Sequence, residues 1–197
     1  RLVNLFKKNV KAEIDDKYII PEKAVSVLQK ILDEKDIKIF LSKTHMSFKL
    51  NDIELITRLI GHKYPDYKSV IPLENEFELK LKSKEIHNAI KRMMLFSSTS
   101  STKRVKFSVA ENNLEISAED LDMGNSGKES VMCEYDGTPL EIGFNSQYIN
   151  DILSHLTSED EIIFKLHSAT KAVIIVPSVG KENQELMMLV MPVRLNN

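Results

Sequence analysis

Three stretches of the chain carry apolar residues at helical spacing, and they recur at a fixed distance. They are "PEKAVSVLQKIL" from Pro21, "SKEIHNAIKRMM" from Ser83 and "NSQYINDILSHL" from Asn145, with starts 62 residues apart. In that register the apolar positions coincide: Ala24 with Ile86 and Tyr148, Leu28 with Ile90 and Ile152, and Leu32 with Met94 and Leu156. Spacing of i, i+4, i+8 draws one stripe along each helix. Proline in a first turn and Ser or Asn at a cap are ordinary helix openings.

The flanks repeat as well. A short strand pattern precedes each helix: "DKYIIP", "EFELKLKS" and "LEIGFNS". A hairpin follows each: "IKIFLSKTHMSFKL", "VKFSVAENNLEISA" and "IIFKLHSATKAVIIVP", with polar tips near 43–45, 111–113 and 169–171. Alternating apolar and polar residues around polar tips are hairpin chemistry. A further strand closes each unit, in "IELITRLI", "SVMCEYDG" and "LMMLVMPVRL", and the opening "RLVNLF" reads as the closing strand of a fourth unit. The Gly- and Ser-rich "DMGNSGKES" (122–130) reads as a mobile loop with no assigned role.

A unit of strand, helix and three strands cannot bury its sheet face and its helix stripe alone, but two such units side by side can. The pattern therefore predicts an α+β fold of tandem repeats, with sheets outside and helix pairs inside. Residues 1–73 make up most of one domain and residues 74–197 a complete one, with the boundary near Leu73–Phe77. The connector "LIGHKYPDYKSVIP" (59–72) is then unusual, because Tyr64, Pro65, Tyr67, Val70 and Ile71 stand where a linker is ordinarily polar. Neither proline can donate to a strand ladder. A crossover between domains can be apolar where neighbours cover it.

Composition narrows the partners. The 197 residues include 27 Lys and Arg against 29 Asp and Glu, a formal net charge of −2. That balance excludes a wholesale polycation but leaves room for a local basic face. Cys133 is the single cysteine, so an intrachain disulfide and a cysteine zinc site are both excluded, and a reducing, cytoplasmic setting is expected. The longest apolar runs, such as "LMMLVM" (186–191), are too short to span a bilayer. No charged-then-apolar leader opens the chain, and a first residue of Arg1 instead of Met suggests a fragment or a processed product.

The repeated unit, the Tyr-Pro-Asp-Tyr connector, "EIGFNSQYINDIL" and the ending "MPVRL" together resemble the bacterial DNA polymerase III sliding clamp (β subunit) over essentially the whole chain. The resemblance implies the clamp fold, here the second half of the middle domain plus the C-terminal domain. It implies a processivity factor that encircles and slides on duplex DNA, in a homodimer ring of full-length subunits. It also implies a pocket where the polymerase catalytic subunit, clamp-loader subunits and other clamp-binding-motif proteins dock a short, partly apolar peptide. Matching positions are Arg1, Leu2, Pro65, Val70, Asn145 and Tyr148, with Leu189, Val190, Met191, Pro192, Val193, Arg194 and Leu195 at the end of the chain. Pro65, Val70, Val190, Met191, Pro192 and Leu195 offer a preformed apolar surface on which methionine adapts to varied side chains, while Arg1 and Arg194 make a polar rim. The connector is apolar, on this reading, because it forms one wall of the pocket. Three departures stand out: Ser69 replaces a basic residue of many relatives, Asn196 and Asn197 follow the usual terminal leucine, and part of the pocket precedes Arg1 in the family.

The family's DNA-facing surface corresponds to the polar sides of the helices, which here carry Lys23 and Lys30 on the first and Lys84, Lys91 and Arg92 on the second. Sliding requires attraction to phosphates without base readout, which flexible lysines supply. The competing reading is a solvated face, since Glu22, Asp33 and Glu85 are interleaved and the third helix is nearly uncharged.

Enzyme signatures are weak. Ser100-x-x-Lys103 has serine–lysine acyl-transfer spacing but sits in a polar loop rather than opening a buried helix. Gly180-Lys181 lacks the glycine five residues earlier that a phosphate loop needs, Ile175 standing there. The histidines at 45, 62, 87, 155 and 167 show no metal-ligand spacing, and Cys133 alternates with apolar neighbours as a strand thiol. No catalytic activity, metal or cofactor is expected. A repeat-built interaction module without a nucleic-acid role is the alternative, and it predicts peptide binding without salt-dependent DNA association.

Overall fold

The computed structural model of the protein describes residues 1–11, 16–32, 36–97, 103–120 and 123–195. In chain order the elements are β1 (Leu2–Lys7), α1 (Glu22–Ile31), β2 (Lys38–Leu41), β3 (His45–Leu50) and β4 (Ile53–Arg58), then a 3-10 turn at Tyr67–Val70. There follow β5 (Phe77–Lys82), α2 (Ser83–Met94), β6 (Arg104–Ala110), β7 (Asn113–Asp120), β8 (Asn125–Met132) and β9 (Glu134–Tyr135). The last group is β10 (Leu140–Asn145), α3 (Ser146–Ser154), β11 (Glu161–Leu166), β12 (Val173–Pro177) and β13 (Gln184–Val190). The chain divides into two compact units, Lys11–Asp66 and the remainder, Arg1–Val10 with Tyr67–Asn197.

In the smaller unit β2, β3 and β4 form an antiparallel sheet in that order. Asn51 at φ 47° opens the two-residue turn between β3 and β4, a conformation asparagine tolerates. Alternation on β3 buries Met46, Phe48 and Leu50, and Leu28 and Ile31 of α1 pack against them. Ala24 of α1 is also buried. The expected strand "DKYIIP" is not a strand here. Among the described residues its backbone bond to the sheet side runs from the Ile60 N–H to the Ile19 carbonyl, 3.0 Å, and Pro21 has no N–H to extend a ladder.

The larger unit has two sheets, β1-β13-β12-β11-β5-β9 and β10-β6-β7-β8. Its two strand–helix repeats exchange their first strands: β5 pairs with β11 of the following repeat, and β10 pairs with β6 of the preceding one. The opening strand β1 lies at the edge of the six-stranded sheet, running antiparallel to β13 from Leu2↔Leu189 to Lys7↔Gln184. One core joins both sheets and both helices, with Ile86, Ile90, Phe107, Ile149, Phe144 and Phe164 fully buried or nearly so.

The helix register differs from the sequence expectation by one residue. Buried positions on α2 are Ser83, Ile86, His87, Ala89, Ile90 and Met93, and all but His87 have a buried counterpart 63 residues on, at Ser146, Ile149, Ile152, Leu153 and Leu156. Ile149, not Tyr148, is therefore the partner of Ile86. The cause is that both Tyr148 and Ile149 are apolar enough to extend a stripe, and only the fold decides which one turns inward. Between α1 and α2 the spacing of 62 stands, since Ala24 aligns with buried Ile86.

The segment 122–130 is also corrected: from Asn125 onward it is β8, paired with β7. Its small residues reflect packing, because a Cβ on Gly127 would overlap the Phe96 ring.

Candidate functional site

The end of the chain is positioned by a single glycine. Beyond β13, Pro192 cannot extend the ladder, and the Val193 N–H instead donates to the Gly143 carbonyl at 2.8 Å, latching the terminus to β10. A Cβ at 143 would stand 2.7 Å from the Val193 carbonyl oxygen, so only glycine permits this approach. The Arg104 guanidinium donates to the Arg194 carbonyl at 3.3 Å.

Two residues further along from Gly143, Asn145 caps α3, its Oδ1 accepting from the Gln147 and Tyr148 N–H groups at 3.0 and 3.2 Å. The cap fixes the first turn and leaves Tyr148 44% exposed. The Arg1 guanidinium lies 5.6 Å from the Tyr148 ring centroid and forms an ion pair with Asp151, one turn along α3. Arg1, Tyr148 and Asp151 thus form one cluster within the larger unit.

The remaining predicted pocket residues are dispersed. Leu189 and Val190 are buried in β13 at 3% and 0% exposure and serve the core. Met191 and Arg194 are exposed, while Pro192, Val193 and Leu195 are half-buried. Leu2 is half-buried opposite Leu189, and Val70 is exposed in the 3-10 turn. Pro65 is exposed and belongs to the smaller unit. Asn196 and Asn197 lie outside the described residues. Sequence reasoning missed Gly143, Arg104 and Asp151. A glycine between Ile142 and Phe144 in a strand was a readable signal of close backbone approach.

On α2, Lys84 and Lys91 are exposed two turns apart, and among the described residues no carboxylate reaches ion-pair distance of either. Arg92 differs, since its guanidinium bonds both oxygens of Glu129 on β8, the Nε contact at 2.9 Å. That contact holds the Glu129 carboxyl below its ordinary range and raises the Arg92 guanidinium. Lys23 and Lys30 are exposed on α1.

Burial pushes the Cys133 thiol up, the opposite of what a nucleophile needs. Ser100 lies outside the described residues, and Lys103 donates to the Gln147 side chain at 3.0 Å. Among the described residues no group of His, Cys, Asp and Glu could hold a metal ion. No described helix is long and apolar enough to cross a membrane.

Exchanged strands over a helix pair, with a terminus latched beside the first turn of the last helix, define the DNA sliding clamp class. Solved structures agree: a clamp from Bacillus subtilis superposes with a TM-score of 0.85 at 27% identity, over 95% of this chain and 49% of that one. A clamp (DNA polymerase III subunit beta) of Bartonella birtlesii bound to griselimycin is similar at TM-score 0.79 and 32% identity, over 90% and 47%. The "Beta sliding clamp" of Chlamydia pneumoniae is 33% identical over 181 residues, 91% of this chain and 47% of that protein. The family descriptions "DNA polymerase III beta subunit, central domain" and "DNA polymerase III beta subunit, C-terminal domain" match residues 3–66 and 68–194. The chain belongs to the DNA polymerase III beta subunit family. It spans about half the length of the relatives it matches.

Proposed function

We propose that this chain is part of a DNA polymerase processivity factor, a ring that encircles and slides on duplex DNA and docks replication proteins through a peptide pocket. Family membership over both matched regions carries the reading. The mechanism is topological: encirclement prevents escape, so protein–DNA contacts can be weak, sequence-independent and salt-sensitive. Lys84 and Lys91, with Lys23 and Lys30, supply phosphate attraction, and Arg92 contributes less because Glu129 already engages it. The chain performs no catalysis and acts in the cytoplasm. Its domains are residues 1–73, the second half of the middle domain, and residues 74–197, the C-terminal domain.

The pocket takes a short, partly apolar segment of the polymerase catalytic subunit, clamp-loader subunits or other clamp-binding-motif proteins. Tyr148 and the terminal Met191–Leu195 supply its apolar surface, with Arg1 and Arg194 at the rim and Val70 from the connector. Griselimycin on the Bartonella clamp supports a ligand site on this fold. An interaction module with no nucleic-acid role is disfavoured by the family match. Fluorescence polarisation of a labelled clamp-binding peptide tests the pocket, comparing this chain with a version ending at Met191, which keeps the buried Val190 in place. Saturable binding lost on truncation is expected; equal binding by both forms removes the terminus from the site.

A further inference from the structure

One side-chain amide ties the connector to the sheet that carries the terminal segment. Between the 3-10 turn at Tyr67–Val70 and the start of β5, residues 71–76 pair with no strand among the described residues. Asn75, two residues before β5, reaches the β11–β12 hairpin instead. Its Nδ2 donates to the Lys165 carbonyl at 2.8 Å and to the Ala172 carbonyl at 3.1 Å. Both carbonyls stand where the hairpin opens, Lys165 pairing with Ile174 and Val173 beginning β12. Turning the amide over would set its oxygen against two acceptors, so its orientation is fixed.

Ala172 stands at the root of the terminal segment. Val173 pairs with Val190, so the same register carried one step on puts Ala172 level with Met191, where the segment leaves β13. Asn75 therefore fastens the connector beside that point, a short way along from Val70. The chain between them has little other hold from its exposed residues. Leu73 is 95% exposed, and Glu74 meets Lys171 at 3.4 Å in an ion pair open to solvent on both sides. Asn75 itself is half-buried, and its Oδ1 is buried with no donor among the described residues. An unpaired buried oxygen offsets part of what the two hydrogen bonds contribute, so stability alone explains the amide poorly.

Building on the docking reading above, we propose that Asn75 is a positioning residue of the pocket. It sets the spacing between the connector wall at Val70 and the terminal wall that begins at Met191. Asn75 acts through these walls and does not itself touch the docked segment. A peptide gripped by both walls binds best when their spacing is fixed beforehand, because a loose wall must be ordered at the moment of binding. Loss of the amide frees the connector at its sheet end. Lengthening the side chain by one methylene keeps both donors but moves the connector outward.

Fluorescence polarisation of a labelled clamp-binding peptide on the 197-residue chain reads the effect, with thermal unfolding of each variant as the check on folding. Asn75→Ala is expected to weaken binding about tenfold. In a Val70→Ala background, where that wall is already cut back, the same change should add less than about twofold. Glu74→Ala, which breaks only the exposed ion pair, should leave binding unchanged. Asn75→Gln keeps the amide donors and the fold, and should still weaken binding. That variant decides the matter if Asn75→Ala does not fold. Full binding by Asn75→Ala or Asn75→Gln overturns the proposal, and so do losses at 75 and 70 that simply multiply, since the side chain then only caps the hairpin. No binding by the unchanged chain removes the docking reading itself, and the role of Asn75 with it.

Discussion

His87 Nε2 and Asn150 Oδ1 stand 3.2 Å apart between α2 and α3, and each residue is the other's counterpart in the repeat. The two helices run antiparallel around that contact. The buried Ser83 hydroxyl at the start of α2 donates to the Leu156 carbonyl at 2.6 Å, just past the end of α3. At the other end, Ser146 Oγ at the start of α3 lies 3.1 Å from Ser97 Oγ, just past α2. A symmetric pair of helices is thus held by polar contacts at its centre and both ends, with apolar stripes between.

This contact makes stability depend on pH. Burial, and then the nearby Lys91 cation, depress the His87 imidazole below its ordinary value, while Asn150 opposes the shift. The unfolded chain therefore binds a proton more readily than the folded one. The His87 contribution is complete above about pH 6.5 and is lost as pH falls through the lower folded value. Urea unfolding at pH 7.5 and 5.5 should show a lower midpoint in acid, with a slope of at most about 1.4 kcal/mol per pH unit from this group. His87→Gln should flatten that component.

The helix register is testable by a pair of neighbours. Ile149→Ala removes a fully buried side chain and should cost about 2 to 5 kcal/mol. Tyr148→Ala removes an exposed ring and should cost less than about 1 kcal/mol while abolishing peptide binding. Chemical denaturation of both variants, with peptide titration of the second, checks the contrast. Equal losses of stability would restore the register read from the sequence.

Gly143→Ala should unlatch the terminus without unfolding the domain. The added methyl meets the Val193 carbonyl oxygen, a backbone atom that can move only if the segment leaves β10. Faster carboxypeptidase trimming of the terminus and weaker peptide binding are expected, with the thermal midpoint changed little.

Lysine contacts with DNA are read from salt dependence. Lys84→Ala with Lys91→Ala should reduce the slope of log K against log salt by about 2, at roughly 0.9 per phosphate lost. Arg92→Ala should change the slope less, because its guanidinium is already committed to Glu129. Filter binding of duplex DNA between low and moderate salt separates the two cases.

Much of the fold was legible because helix and strand periods differ and the repeat shows them several times over. The stripes on α1 and α2 aligned at 62 residues, and the hairpin tips at 43–45 and 111–113 carried turn chemistry, as the pairing of β2 with β3 and of β6 with β7 bears out. Strand exchange was not legible, since β5 and β10 have the same alternation whichever hairpin receives them. Strand β8 was hidden because Gly127 was read as loop composition, whereas it makes room for Phe96. At the site, Tyr148 and the terminal residues came from motif resemblance. Asp151 and Arg104 act through partners far away in sequence, Arg1 and Arg194, which no local pattern joins.

The most direct measurement is an amide NMR titration of the labelled chain with a short clamp-binding peptide. Saturable shifts grouped at Arg1, Tyr148, Asp151 and Val193–Leu195 are the predicted result, with β8 unaffected. Shifts centred elsewhere, or none from a chain whose spectrum is well dispersed, would contradict the placement of the docking site.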